Sequence, residues 1–336
     1  MSFVLHLKLF ISKCRRSGVT TAVRWSLKYI SAHAKAMQWR LRGVGQLKRA
    51  GFHAVFADEG LVTIKLPKVT LMDAIAGSQV SLVANSTSFL ERPSHEVLLR
   101  KIVFDLYELR ILCRKKSIID IGAWISDNAL VWSRLIDSEC AKVIAIDPSP
   151  NNIAFGRALS ELNRVSNIIY YERVCSYREG VPLCFEGSLD HATFSECVTR
   201  SQPQMLSSTI DSTVPKAEHG SIGLFHIDVE GFEIDVLKGA VDVILASRPV
   251  ILFEQHLDEQ DYNSVFQFLL ERAYSVYMIN ELLPGCRPDC RNFVAAPQEL
   301  DLSSLLSKEY TGITHGRVTE AVDGPALIPV DGAPAV

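Results

Sequence analysis

From residue 117 onward, short and almost wholly apolar runs rich in Ile and Val alternate with segments of helical periodicity, and this alternation constrains the fold more than any other feature. The runs are SIIDIG (117–122), KVIAID (142–147), NIIYYERV (167–174), IGLFHID (222–228), PVILFEQ (249–255), YSVYMIN (274–280) and NFVAAP (292–297). Strands that lack polar alternation are buried on both faces, which calls for a mostly parallel sheet covered by helices on each side. Asp127 to Ile136, Asn151 to Leu162, Phe232 to Ala246 and Asp261 to Arg272 supply those helices. No long helix separates the last strands, which permits an antiparallel hairpin at one edge. The expected fold class is α/β, with an accessory helical and small β region in front of it.

The chain has 336 residues, of which 48% are hydrophobic and 22% charged, ample for a sizeable core. No run approaches the roughly 18–20 apolar residues that a spanning helix needs, so a soluble or peripheral protein is expected. Charge is distributed unevenly. Residues 1–50 hold eleven Lys and Arg and no acidic residue, leaving 24 basic against 38 acidic residues in the remainder. Val23, Leu27, Ile30, Ala34, Met37 and Leu41 recur at helical spacing within this basic stretch. Two roles stay open for it: peripheral contact with an anionic membrane surface, or packing against the acidic body. Its composition also fits a mitochondrial transit peptide, whereas the order of a secretory signal is missing.

Four regions follow: a basic amphipathic helical region over 1–50, a small accessory region over 51–94 with a few short strands, the α/β domain over 95–300, and a disordered tail over 308–336 rich in Gly, Ala and Pro. The eight cysteines are scattered, many in apolar runs, and read as reduced, packed thiols. A cytoplasmic location, peripheral at the inner membrane surface if the basic helix binds lipid, is the corresponding expectation. Cys286 and Cys290 form a lone C-x3-C pair, a poor zinc signal. No recognition motif accompanies the basic charge, so nucleic acid is not expected as a partner.

In an open parallel sheet, ligands bind beyond the carboxyl ends of the strands. The first turn of this kind is IIDIGAWISDN, where Asp120 ends the strand and Gly122 allows a sharp turn; the second strand ends at Asp147. A carboxylate at that second tip suits the two hydroxyls of a ribose, as in dinucleotide enzymes. NAD and S-adenosylmethionine both carry such a ribose. A pyrophosphate asks for G-x-G-x-x-G, but the three positions here are Gly122, Trp124 and Asp127. A cationic sulfonium without phosphate fits a loop containing acids better.

At IDIGAWISDN, VIAIDPSPNNI, STIDS, HIDVEGFEIDVLKGA and RPVILFEQH the chain resembles the FkbM family of S-adenosylmethionine-dependent methyltransferases, over about residues 95–300. The resemblance implies a class I methyltransferase sheet of order 3-2-1-4-5-7-6 and O-methylation of hydroxyls on sugars, glycoconjugates or secondary metabolites. It implies further that Asp120, Gly122 and Ala123 lie along the methionine part and Asp147 on the ribose, with Ser126 and Asn128 completing the cofactor site. Ser126 departs from the family pattern, which has Gly there, and the departure bears on how closely the backbone approaches a ligand.

Methyl transfer to a hydroxyl needs the acceptor oxygen in line with the methyl and a group to take its proton. The expected rim carries Asp228 and Glu230 after the fourth strand, and Glu254 and His256 at the end of the fifth. Asp228, Glu230 and His256 are the candidate catalytic residues, His256 as general base; His226 lies deeper and reads as structural. The carboxylates are of the kind that hold Mg2+, but no spacing demands a metal. The polar stretch 186–215 reads as a long loop or lid, with His191, Thr193 and Ser195 as acceptor contacts. A cofactor-binding module without catalysis and a dinucleotide oxidoreductase are the alternatives.

Overall fold

The computed structural model describes residues 19, 23, 53–56, 62–65, 81–84, 97–186, 193–197, 204–256, 262–279, 290–308, 313–315, 318–320 and 326–330. The chain divides into two compact units. One takes Met1–Asp105, Ile279–Arg291 and Leu302–Ile328; the other takes Leu106–Met278, Asn292–Asp301 and Pro329–Val336.

In the first unit, β1 (His53–Phe56), β2 (Val62–Lys65) and β3 (Ser81–Ala84) form an antiparallel three-stranded sheet, matching the few short strands read from the sequence. Helix α1 (Val97–Glu108) starts here, and its buried Asp105 meets Lys101 at 2.8 Å and Lys308 at 2.7 Å. Two ammonium partners offset the cost of burying that carboxylate. Of the basic stretch 1–50, only Val19 and Val23 are described, both helical and exposed. The rest of the amphipathic stripe lies outside the described residues.

The second unit carries the alternating elements: β4 (Ser117–Ile121), α2 (Asp127–Trp132), β5 (Val143–Asp147), α3 (Pro150–Leu162), β6 (Ile168–Glu172), β7 (Val174–Cys175), β8 (Pro182–Glu186), β9 (Thr193–Glu196), β10 (Gln204–Ser208), α4 (Ile210–Thr213), β11 (Ile222–Ile227), α5 (Glu233–Lys238), α6 (Val241–Ser247), β12 (Val250–His256), α7 (Tyr262–Leu270), β13 (Tyr274–Ile279) and β14 (Cys290–Pro297). α8 (Ser303–Leu306), β15 (Ile313–His315) and β16 (Val318–Glu320) belong to the first unit, which also takes Leu327 and Ile328 of β17 (Leu327–Pro329). The main sheet runs β17-β13-β14-β12-β11-β4-β5-β6. β6, β5, β4, β11 and β12 are parallel, and β13 and β14 pair antiparallel. Apart from the added edge strand β17, this is the order 3-2-1-4-5-7-6. The central runs are buried on both faces, as their lack of alternation requires: every residue of β4, β5 and β11 is buried, whereas β6 and β13, toward the edges, are partly exposed.

The structure corrects several expectations. The segment 232–246 is two helices, α5 and α6, because the chain bends at Gly239, where a Cβ would collide with the Ser176 carbonyl oxygen. Asp211 fixes the bend: its N–H donates to Gly239 O at 3.0 Å, and its carboxylate caps α6 by accepting from Asp242 N and Val243 N at 3.0 and 2.9 Å. Within 186–215, residues expected to form a loop instead supply strands β9 and β10. With β7 and β8 they build a second sheet of order β7-β10-β8-β9. Leu183, Val181 and Val174 are its small buried core. Cys184 and Cys197 are disulfide-bonded across the β8–β9 hairpin, so not all cysteines are free thiols; the argument from reduced cysteines to a cytoplasmic location falls with that. Finally, the tail expected to be disordered contains the hairpin β15–β16 and the strand β17, beyond which Val330 N–H donates to Val276 O at 2.9 Å.

Candidate active site

The backbone itself marks the site. Among the described residues, seven other than glycine have positive φ. Arg110, Arg164, Arg248 and Ala273 follow the ends of helices, where a left-handed residue commonly closes the last turn. The remaining three, Trp124 (φ 44°), Ser126 (φ 64°) and Glu230 (φ 52°), lie in the turns after β4 and β11, together with Gly122 (φ 75°) and Gly231 (φ 101°). Two adjacent parallel strands thus both end in strained turns at the carboxyl edge of the sheet, where α/β proteins bind ligands.

Those turns are built against each other. Gly122 N–H and Ala123 N–H both donate to Ile146 O, at 2.9 and 3.0 Å, tying the first turn to β5. Asp228 N–H donates to Ile121 O at 3.0 Å. A Cβ at Gly122 would collide with the Asp228 carbonyl and lie 3.4 Å from Val229 Cγ1, so only glycine fits. The second turn is pinned from below by Glu233, whose Oε1 accepts from Gly231 N at 3.1 Å and Val229 N at 3.4 Å. Glu233 is 2% exposed.

Asp120 and Asp147 sit at the tips of the adjacent strands β4 and β5, both buried, at 1% and 5% exposure. The parallel register sets Asp120 beside His226 of β11, and its Oδ1 meets His226 Nδ1 at 2.7 Å. The His226 ring packs edge-on against Trp132, with centroids 5.1 Å apart. Asp147 gathers three donors: Ser149 N at 2.9 Å and Asn152 Nδ2 at 3.0 Å on Oδ1, and Trp124 N at 2.9 Å on Oδ2. Burial outweighs these donors and pushes its pKa up to about 6, with the nearby Asp120 charge adding to the rise.

Ser126 stands at the head of α2 and makes no side-chain cap. Its hydroxyl points to α3, into space left by Gly156, where a Cβ would collide with Ser126 Oγ and come within 2.9 Å of Tyr170 Cε1. The side chain therefore does not hinder backbone approach to a ligand, because α3 has given up a Cβ to house it. Asn128 is buried in α2, its N–H donating to Asp127 Oδ1 at 2.9 Å.

Of the candidate catalytic residues, Asp228 and Glu230 are half-exposed in the second turn. His256 ends β12; its side chain lies outside the described residues, as do His191 and the side chain of Thr193. Pairing of Ile227 with Phe253 places the ends of β11 and β12 side by side, Glu254 being buried there and Ser195 exposed on β9. No group of three or more metal-ligating side chains occurs among the described residues, and no described helix is long and apolar enough to cross a membrane.

Sequence reasoning missed Glu233, Asn152, the Asp120–His226 pair and the β8–β9 hairpin. Ser149 and Asn152 do carry a signal, an N-cap residue followed three positions later by the N–H it accepts, at 3.2 Å.

The acidic side chains in and beside the first turn favour a cationic ligand. A pyrophosphate laid on the first turn would face the carboxylates of Asp120, Asp127 and Asp147, whereas a sulfonium would be attracted by them. Residues 120–276 match the family model described as Methyltransferase FkbM domain. No curated protein matches the chain. Among solved structures, a methyltransferase FkbM from Methylobacillus flagellatus KT is similar at 16% identity and a TM-score of 0.39, over 53% of this chain and 43% of that one. The bifunctional kinase-methyltransferase WbdD is similar at 15% identity and a TM-score of 0.40, over 62% and 41%. A precorrin-6y C5,15-methyltransferase from Geobacter metallireducens GS-15 gives 12% identity and 0.37, over 61% and 90%. The chain thus spans less than half the length of the first two.

Proposed function

Residues 120–276 form a methyltransferase domain of the FkbM family, whose cofactor is S-adenosylmethionine, and from that premise we propose that the protein methylates a hydroxyl on a sugar, glycoconjugate or hydroxylated secondary metabolite. One observation carries this reading: two buried carboxylates at neighbouring strand tips lie under a strained turn that directly abuts a half-exposed acidic turn.

When bound, the cofactor supplies an electrophilic methyl on a cationic sulfur. Asp147, through the lone pairs left on Oδ2, would hold the ribose hydroxyls. Gly122 and Ala123 would line the methionine part, their N–H groups already committed to Ile146. Asp120, buried beneath the turn and paired with His226, would add to the attraction for the sulfonium. Asp228 and Glu230, half-exposed in the second turn, would accept hydrogen bonds from the acceptor, orienting its oxygen toward the methyl. His256, the last residue of β12, would take the hydroxyl proton as general base.

Calorimetry with the full chain tests the first step: binding of S-adenosylmethionine and of S-adenosylhomocysteine is expected, and binding of neither would refute the proposal. Transfer of a labelled methyl to hydroxylated acceptors tests the second. Cofactor binding with no transfer to any hydroxyl would favour a binding module instead.

A further inference from the structure

We infer that the β8–β9 hairpin, closed by the Cys184–Cys197 disulfide, is the wall against which the methyl acceptor lies, and that Phe194 and Phe232 select which acceptors are taken. The inference rests on the methyltransferase reading above and extends it to the acceptor side.

The Asp228 backbone touches the Gly122 turn so closely that a ligand over that turn lies next to residues 228–232. Phe232 ends this segment, half-exposed at the head of α5. Its ring meets Phe194 of β9 edge-on, with centroids 6.4 Å apart. Phe194 in turn lies opposite Phe185 in the hairpin register, 5.9 Å away. All three rings are half-exposed, although Val174, Val181 and Leu183 beneath them are buried. A row of partly open aromatic faces therefore begins four residues from Asp228 and two from Glu230. Flat apolar surface beside carboxylate acceptors complements a hydroxylated ring, whose C–H face lies on the aromatic rings while its hydroxyls donate to the acids. An acyclic polyol has no such face.

β8 is held by β10 on its other side, but β9 pairs with β8 alone. β8 and β9 pair over only four residues, and β9 is the sheet's edge; short edge strands are marginal by themselves. The disulfide joins Cys184 within β8 to Cys197 just past β9, at a separation of 13 residues, so Phe194 lies inside the covalently closed segment. A dithiol reductant supplies two electrons and two protons, breaks the S–S bond and leaves two thiols, being itself oxidised to a disulfide. Reduction then loosens the wall without touching Asp120, Gly122 or Asp147, which lie on other elements.

The test uses the full chain, labelled S-adenosylmethionine and a panel of p-nitrophenyl pyranosides, with sorbitol as the acyclic comparison; cofactor affinity is measured separately by calorimetry. Transfer to at least one pyranoside over sorbitol is expected. Phe194→Leu, which keeps apolar volume but removes the ring, should raise the acceptor KM at least fivefold and leave the cofactor Kd within twofold. Phe194→Trp should stay within threefold of the parent on both. Dithiothreitol, and the double change Cys184→Ser with Cys197→Ser, should raise the acceptor KM in the same way. The inference is overturned if the cofactor binds but no pyranoside is methylated, if sorbitol serves equally well, if Phe194→Leu leaves the acceptor KM unchanged, or if reduction does. Failure to bind the cofactor would instead overturn the methyltransferase reading, and this inference with it.

Discussion

Gly156 and Ser126 form a pair whose coupling can be measured. Gly156 lies in the interior of α3, where alanine is ordinarily better by roughly 0.5–1 kcal/mol. Here the added Cβ would collide with Ser126 Oγ and lie 2.9 Å from Tyr170 Cε1 and 3.1 Å from Ser126 Cβ. Tyr170 has little room to yield, since its hydroxyl is held by Ser160 at 2.8 Å and by Gly156 O at 2.9 Å. Overpacking of this kind costs about 1–3 kcal/mol, so Gly156→Ala should destabilise by about 1–2 kcal/mol after the helix gain. Ser126→Gly removes two of the three close neighbours and relieves a left-handed backbone. In that background Gly156→Ala should cost less by about 1 kcal/mol or more, a coupling typical of residues in contact. Urea unfolding of the parent, both single variants and the double variant reads this directly. Additive costs would refute the placement of the Ser126 hydroxyl against α3. The same variants report on the cofactor site: if Ser126 points away from the ligand, Ser126→Gly keeps the S-adenosylmethionine Kd within about twofold, and a tenfold loss would show that the hydroxyl touches the ligand.

Three further outcomes are expected. Asp147 titrates at about 6 when folded against 3.8 ordinarily, so between those values the folded state holds a proton that the unfolded chain has lost. Stability therefore falls as pH rises from about 4 to 6, by about 3 kcal/mol from this group; urea midpoints for the parent and Asp147→Asn should show the slope in the parent and its loss in the variant. Glu233→Ala frees the N–H groups of Gly231 and Val229, and for loss of a bond to a charged acceptor should cost about 1.5–3 kcal/mol, with turnover falling more than cofactor affinity; an unchanged turnover would mean the second turn needs no clamp. Asn152→Ala removes a donor from Asp147 Oδ1 only, so if the ribose is taken at Oδ2 the cofactor Kd should move no more than about threefold in calorimetry, whereas Asp147→Ala should weaken it by tenfold or more.

The layered sheet was readable because burial on both faces writes itself locally: SIIDI, VIAID and IGLFHI leave no polar alternation to mistake. The first turn was readable at Gly122, because a glycine directly follows the apolar run that ends in Asp120 and Ile121. What could not be read depends on contacts between distant residues. Asp120 meets His226 across 106 positions, and only the β4–β11 register makes them neighbours. The break at Gly239 answers to Ser176, on a different element. The second sheet was hidden for another reason: TFSE and QMLSS are four- and five-residue strands in polar sequence, too short for periodicity to separate from loop.

Asp147 has a structural role besides the one its place in the sequence suggests. Its position after the second strand pointed to ribose hydroxyls, yet the three hydrogen bonds it accepts all come from the protein: Trp124 on one side, Ser149 and Asn152 on the other. The proposed ribose contact and this structural role are compatible. Trp124 sits at a positive φ that nothing in its own side chain favours, and the bond from its N–H to Oδ2 helps hold it there. A ligand hydroxyl donating to the same oxygen would stabilise the charged form that accepts from Trp124, so binding the ribose and ordering the strained turn reinforce each other. A carboxylate does this where an amide would not, because all three of its protein partners are donors and both of its oxygens must accept.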